Sequence, residues 1–189
     1  MARLIYMTIA SLDGYTADEH GTFDWAAPDE EVLAVVNDVL RPVETHLYGR
    51  RMYDVLLYWE TAGSRSDLSP GSRDFAQIWR AADKVVYSRT LEHAASARTR
   101  IERSFDAQTV ARMKKESQRD LSIGGPELAS QAMRAGLVDE WNLFVAPVLV
   151  GNGTRSLPEH ARVKLELLDE RRFRGGMVYL RYGLAAERA

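Results

Sequence analysis

Apolar positions along the chain follow two spacings in turn. Strand-like runs of β-branched, aromatic and aliphatic residues occur at Arg3–Ser11, Thr45–Tyr48, Lys84–Tyr87, Leu121–Ile123 and Trp141–Val150, with a further one expected at Ile101–Phe105. Between them the apolar residues recur at helical spacing. Val32, Val35, Val36, Val39 and Leu40 place one core face on a helix over 28–41. Pro28 suits its first turn, and Asp29, Glu30 and Glu31 suit its positive end. Helices are also predicted over Arg50–Trp59, Phe75–Ala82 and Ala107–Glu116, the last with Asp106 as N-cap, and from Pro126 onward. The stretches Leu12–Ala27 and Gly63–Gly71 read as loops. Two closing strands, Val163–Phe173 and Met177–Leu184, are joined by Gly175-Gly176, a hairpin signal. Strands that alternate with helices and then follow one another directly predict an α/β fold. Its central sheet should be mostly parallel, with an antiparallel C-terminal hairpin. No repeat or linker divides the 189 residues, which therefore read as a single domain over 1–189.

Composition narrows the partners. Apolar residues make up 46% and charged residues 28%, and the formal net charge of -2 leaves no basic footprint for nucleic acid. With no cysteine, disulfides and thiolate metal sites are excluded. No apolar run is long enough to cross a membrane, and the first residues do not read as a signal peptide, so a cytoplasmic protein is expected. The histidines (His20, His46, His93 and His160) lack the close spacing of metal ligands, and no metal site is expected.

Three strand ends share one kind of chemistry. Thr45–Tyr48 runs into Gly49-Arg50-Arg51, Lys84–Tyr87 into Ser88-Arg89-Thr90, and Leu121–Ile123 into Gly124-Gly125 with a helix opening at Pro126. Paired glycines let backbone N–H groups approach an anion, and the helix start behind them adds free donors and positive potential. Guanidinium groups and hydroxyls at the other two ends suit phosphate as well. In open α/β sheets ligands bind beyond the carboxyl ends of the strands. No G-x-G-x-x-G, Walker loop or G-x-S-x-G is present. Asp29 has two readings: a helix cap, or, near the inward face, an acid at the rim of an apolar cleft that could relay a proton.

These motifs together resemble the dihydrofolate reductase-like fold, and within it the family of the riboflavin-biosynthesis deaminase/reductase C-terminal domain. The resemblance covers about residues 3–184. It rests on SLDGY after the first strand, LYGRRMYD, the Ser-Arg-Thr strand end, GGPELA, GLVDEWNLFVAPVLVGNG and the closing RRF-x-GGMVYLRY hairpin. It implies a three-layer fold and NADPH as hydride donor to a pteridine- or pyrimidine-like heterocycle. Carried over, Gly49, Arg50 and Arg51 would meet the 2′-phosphate or diphosphate, and Ser88, Arg89 and Thr90 the 2′-phosphate and adenine side. Gly124, Gly125, Pro126, Glu127 and Leu128 would line the diphosphate, with a cis peptide between the glycines. Ile9 and Thr16 would flank the nicotinamide, Leu12–Trp25 would be a lid, and Asp29 or Glu30 would be the catalytic acid. A homodimer joined through the C-terminal strands is also implied.

Three departures from the family pattern weaken the substrate assignment more than the cofactor assignment. Tyr15 stands where a basic residue is usual, Ile123 where an acid is usual, and Met52 where a hydroxyl residue is usual. They keep open a second reading, a nucleotide-binding protein of this fold without reductase turnover.

Overall fold

The computed structural model describes residues 1–63, 65–159 and 161–186. Strand β1 (Leu4–Ser11) shows how the sequence builds three layers. Its alternating side chains enter two separate cores: Leu4 and Tyr6 join one, while Ile5, Met7 and Ile9 join the other. Along the chain follow β2 (Tyr15–Ala17), α1 (Glu30–Leu40), β3 (Val43–Gly49), α2 (Arg50–Leu56), α3 (Tyr58–Ala62) and α4 (Pro70–Ala81). Then come β4 (Asp83–Tyr87), β5 (Thr99–Glu102), α5 (Ala107–Glu116), β6 (Asp120–Gly124) and α6 (Pro126–Arg134). The chain closes with β7 (Glu140–Ala146), β8 (Thr154–Arg155), β9 (Leu165–Arg172) and β10 (Val178–Leu184).

Eight of these strands form one sheet in the order β5-β4-β3-β6-β1-β7-β10-β9. The first six are parallel, and β10 and β9 add the antiparallel hairpin. One face packs Val32, Val36 and Leu40 of α1 with Phe75 and Trp79 of α4. The other packs Val110 of α5 with Leu128, Ala129 and Met133 of α6.

Element boundaries differ from expectation for local reasons. The chain leaves the sheet at Ala146, not Val150, because Pro147 has no N–H for the ladder and Val148 N turns back to Ala146 O at 2.8 Å. The helix over 50–59 is broken at Leu57 into α2 and α3. Helix α4 starts at Pro70, inside the expected loop, because Ser69 accepts Ser72 N and Pro70 fits its first turn. β5 begins at Thr99 rather than Ile101.

A polar row crosses the buried sheet. Register sets His46 beside Lys84 on one side and Ser122 on the other, and each is almost fully buried. Lys84 Nζ donates to Trp79 O at 3.0 Å and Ala82 O at 2.9 Å, closing the last turn of α4, and lies 4.4 Å from the Trp79 ring centre. His46 Nδ1 lies 2.6 Å from Ser122 Oγ, and its ring stacks on Tyr48. Its Nε2 has no partner among the described residues.

Candidate functional site

The three strand ends singled out by sequence are neighbours. β3 lies between β4 and β6, and the register sets Gly49 opposite Tyr87 and Tyr48 opposite Gly124. Because the strands are parallel, Gly49-Arg50, Ser88-Arg89 and Gly124-Gly125 leave the sheet at one edge. The glycines permit close approach. A Cβ on Gly125 would stand 3.8 Å from Gly49 N and 3.5 Å from Met52 Cβ, and one on Gly124 would press on the Tyr48 ring at 3.0 Å.

The helices that begin here are distinguished by their N-termini. Helices α1, α4 and α5 are closed by side chains: Asp29 on Val32 N, Ser69 on Ser72 N and Asp106 on Thr109 N. Helices α2 and α6 begin at Gly49 and Gly125 with no side-chain cap, and so does α3, which follows α2 directly at Leu57, away from the strand ends. In α6, Ala129 N reaches Gly125 O, so the N–H groups of Glu127 and Leu128 precede the first helical bond. Gly125 has φ 90° and ψ 120°, a conformation that turns its backbone from strand to helix and that L side chains rarely adopt. Among the described residues no peptide bond is cis, so the cis bond expected between Gly124 and Gly125 is corrected to trans; the positive φ of Gly125 makes the turn instead.

The arginines differ in freedom. Arg50 Nε donates to Asp54 at 2.9 and 2.7 Å. Arg51 stands a loose 3.8 Å from Glu127, both largely exposed. Arg89 is exposed and has no ion pair among the described residues. Ser88 is buried, and its hydroxyl oxygen accepts Leu91 N at 3.0 Å and Thr90 N at 3.3 Å, which makes it the staple of its own turn. Arg103 adds to that staple through Ser88 O and Leu91 O, at 3.2 and 2.6 Å. Nothing in its sequence context pointed to that role.

The other candidates lie further along the same edge. Ile9 is half-buried near the end of β1 and faces the α1 and α4 side. Thr16 Oγ1 donates to Thr154 O at 3.2 Å. Asp29 caps α1 through Oδ1, at 2.9 Å from Val32 N, and is exposed rather than turned inward. Its Oδ2 faces the β9–β10 turn, where a Cβ on Gly175 would come within 3.0 Å. β10 lies three strands beyond β6, about 14 Å at the usual strand spacing. Glu30 closes the start of α4: it accepts Ser69 Oγ, and Gly71 N at 3.1 Å.

Ile123, which stands where the family usually carries an acid, does not face the strand ends. It alternates with Ser122, so its side chain enters the core under α5 and α6 and is 1% exposed, not directed at the strand-end site. Two concavities, of about 750 and 260 Å³, lie where the strands begin. Met1, Arg112, Lys115 and Leu137 line the first, and Arg41, Gln77 and Arg119 the second. Neither gathers the strand-end groups, and the geometry of the cradle is the better guide to chemistry than concavity. His20 and His93 are exposed, and His160 lies outside the described residues. Among the described residues no three His, Cys, Asp or Glu side chains are grouped to hold a metal, and no helix is long and apolar enough to cross a membrane.

Comparison with known proteins agrees with this architecture. The model of the RibD C-terminal domain matches residues 2–179. A Bacillus subtilis (strain 168) relative, the uncharacterized protein YyaP, is 26% identical over 182 residues, which is 95% of this chain and 94% of the relative. A protein named for riboflavin biosynthesis from Shewanella sp. PV-4 superposes with a TM-score of 0.74 at 19% identity, covering 98% of this chain and 99% of that one. A diaminohydroxyphosphoribosylaminopyrimidine deaminase/5-amino-6-(5-phosphoribosylamino)uracil reductase from Thermotoga maritima superposes at 0.67 with 14% identity, over 97% of this chain and 57% of that longer one.

Proposed function

The chain belongs to the RibD C-terminal domain family, and from that premise we propose that it is an NADPH-dependent reductase of a pteridine- or pyrimidine-like heterocycle. One observation carries the reading. Two neighbouring helix N-termini, at Gly49 and Gly125, are left without side-chain caps at one sheet edge. They open on the sheet edge that also carries Arg89, an exposed guanidinium with no ion pair among the described residues, while α1, α4 and α5 are closed by their own side chains. Uncapped N–H donors and a free arginine fit an extended polyanion.

In this reading the N–H groups of Glu127 and Leu128 hold the diphosphate, and Arg89 with Arg50 holds the 2′-phosphate. Ser88 and Thr90 shape the adenine side. Ile9 and Thr16 stand beside the nicotinamide, which supplies the hydride when bound. Glu30 has both carboxylate oxygens engaged at α4, so the proton falls to Asp29, whose Oδ2 is outside its cap. The expected result is saturable NADPH binding, followed by tryptophan quenching, and steady loss of nicotinamide absorbance with one member of a pterin and pyrimidine panel. Binding without turnover across the panel would favour the nucleotide-binding reading, and no binding at all would remove both.

We also propose a homodimer through the sheet edge. β9 is an edge strand that exposes Leu165, Leu167 and Leu168, and among the described residues its outer ladder is unpaired. Light scattering is expected to give twice the 21.3 kDa chain mass; a monomer at micromolar concentration contradicts this.

A further inference from the structure

Asp13 joins two loops far apart in sequence. Its Oδ1 accepts Ser11 Oγ at 2.6 Å and Val150 N at 3.1 Å. Its Oδ2 accepts Gly151 N at 2.7 Å and Val150 N at 3.2 Å. The Ser11 hydroxyl oxygen in turn accepts Tyr15 N at 2.9 Å, and Leu12 N donates to Val148 O at 2.9 Å. The same two loops then pair as the β2–β8 ribbon. Ser156 reaches Gly14 O twice, through N at 2.9 Å and Oγ at 3.0 Å, and Tyr6 donates its hydroxyl to Ser156 O at 2.5 Å from inside the core. The Ser11 hydroxyl, with the two backbone N–H groups, holds the Asp13 carboxyl down at about 2, so it is an anion at neutral pH.

Past Ala17 the binding pattern changes. The Asp18 carboxylate accepts His20 N and Thr22 N at 2.9 and 2.8 Å, and Asp18 N and Gly21 N close the same turn. This turn is stiff within itself. Among the described residues, the one side-chain hydrogen bond from the Val148–Arg155 wall to Asp18–Asp24 is Asn152 Nδ2 to Glu19 Oε2 at 3.5 Å, between exposed groups; the others that leave the segment are local, from Trp25 N to Asp24 Oδ1 at 3.2 Å, Ala26 N to Phe23 O at 2.9 Å and Ala27 N to Asp24 O at 3.3 Å. The chain is anchored again at Trp25, packed on the α1 and α4 core, and at buried Ala26. Between wall and turn stands Gly153. A Cβ there would fall 2.0 Å from Ala17 O and 2.6 Å from the Asp18 carbonyl carbon, so only glycine lets the two segments cross.

We propose that Asp13 is a positioning residue: it holds Leu12–Ala17 and Val148–Arg155 as one fixed wall beside the end of β1, and leaves Asp18–Asp24 as the part of this loop that swings when ligand binds. The Leu12–Trp25 lid expected from the resemblance is thereby divided into a pinned half and a moving half. The proposal rests on the reading that a nicotinamide cofactor sits at these strand ends.

The test is hydrogen–deuterium exchange on the full chain with and without NADPH, for wild type and Asp13→Asn, alongside the emission of bound NADPH. In wild type the 12–17 and 148–152 amides should exchange about 10-fold more slowly than 19–23, and of these three segments NADPH should protect only 19–23. Asp13→Asn should raise exchange at 148–152 about 10-fold, the scale of losing one or two such bonds. NADPH affinity should stay within about 3-fold, because the phosphates are held at β3, β4 and β6, while the emission of the bound nicotinamide moves toward that of free cofactor. That spectroscopic change is one a merely structural role would not produce. Ser11→Ala, which removes a single bond, should show the same changes at smaller size and serves if the asparagine variant does not fold. Uniform exchange across 12–23 in wild type, or wild-type exchange and emission in both variants, overturns the clasp. Absence of any NADPH effect on wild-type emission overturns the cofactor reading, while the exchange contrast between 12–17 and 19–23 still decides the clasp.

Discussion

The Arg50→Ala, Arg89→Ala double variant is expected to lose about 100-fold in affinity for NADPH while binding NADH as the wild type does. A charge-assisted hydrogen bond contributes about 1.5–3 kcal/mol, and two guanidinium groups on one phosphate reach the 100-fold scale even after solvent screening. The two side chains should not share the loss equally. Arg89 is free of ion pairs among the described residues and offers its whole fork. Arg50 is already engaged through Nε by Asp54, with side chains about half exposed on both partners. Such a surface pair is weak enough for phosphate to compete with it, but the competition reduces what Arg50 contributes. Arg89→Ala alone should therefore cost more than Arg50→Ala alone. Fluorescence titration with both cofactors separates the outcomes. An equal loss for NADH would move the arginines to the shared diphosphate, and an unchanged NADPH affinity would move the 2′-phosphate elsewhere.

The strand-end cradle was legible because its signals are local. A glycine pair before a proline-started helix, or an arginine after a glycine, says how a strand ends wherever that strand sits. Parallel order then brought the three ends together at one edge. The direction of side chains was less legible. Ile123 adjoins the glycines in sequence, yet two-residue alternation with Ser122 sends it into the opposite core. That alternation was available in Leu121-Ser122-Ile123 and outweighs adjacency. Asp29 had two readings from its position, a cap or an inward-facing acid, and the cap is made through Oδ1; Glu30, a candidate through the resemblance alone, is engaged at the start of α4. Least legible were groups whose partners lie more than a hundred residues away. The Asp13 clasp on Val150 and Gly151, and the two-strand ribbon inside apparent loops, depend on tertiary closure that no local window contains. His46 also depends on closure, with its partners Lys84 and Ser122 on other strands: nothing in Glu44-Thr45-His46 announces a buried imidazole between a lysine and a serine.

That imidazole should make the fold acid-sensitive above the range where carboxylates titrate. Burial, with Lys84 close by as a second cause, lowers the His46 pKa from 6.5 to about 3. The folded state keeps the ring neutral, whereas the unfolded chain takes up a proton below about 6.5. The stability due to the neutral ring is therefore fully present above pH 6.5 and is lost progressively as pH falls toward 3. Between pH 7 and about 4.5 the loss should reach about 3 kcal/mol, from roughly 1.4 kcal/mol for each pH unit below 6.5. Asp13, Asp106 and Asp120 are all held below the ordinary carboxylate value, so their own contributions are lost at lower pH and leave this window clear. Denaturant unfolding of wild type across that range should show the decline. In His46→Gln, which keeps an acceptor for the Ser122 hydroxyl but cannot titrate, the curve should be nearly flat over the same window. The variant will be the less stable protein at pH 7, and the gap should narrow by about 3 kcal/mol on acidification. A wild-type stability that does not change between pH 7 and 4.5 would mean that the ring is protonated in the fold, and that Lys84 and His46 cannot occupy neighbouring places in the buried row.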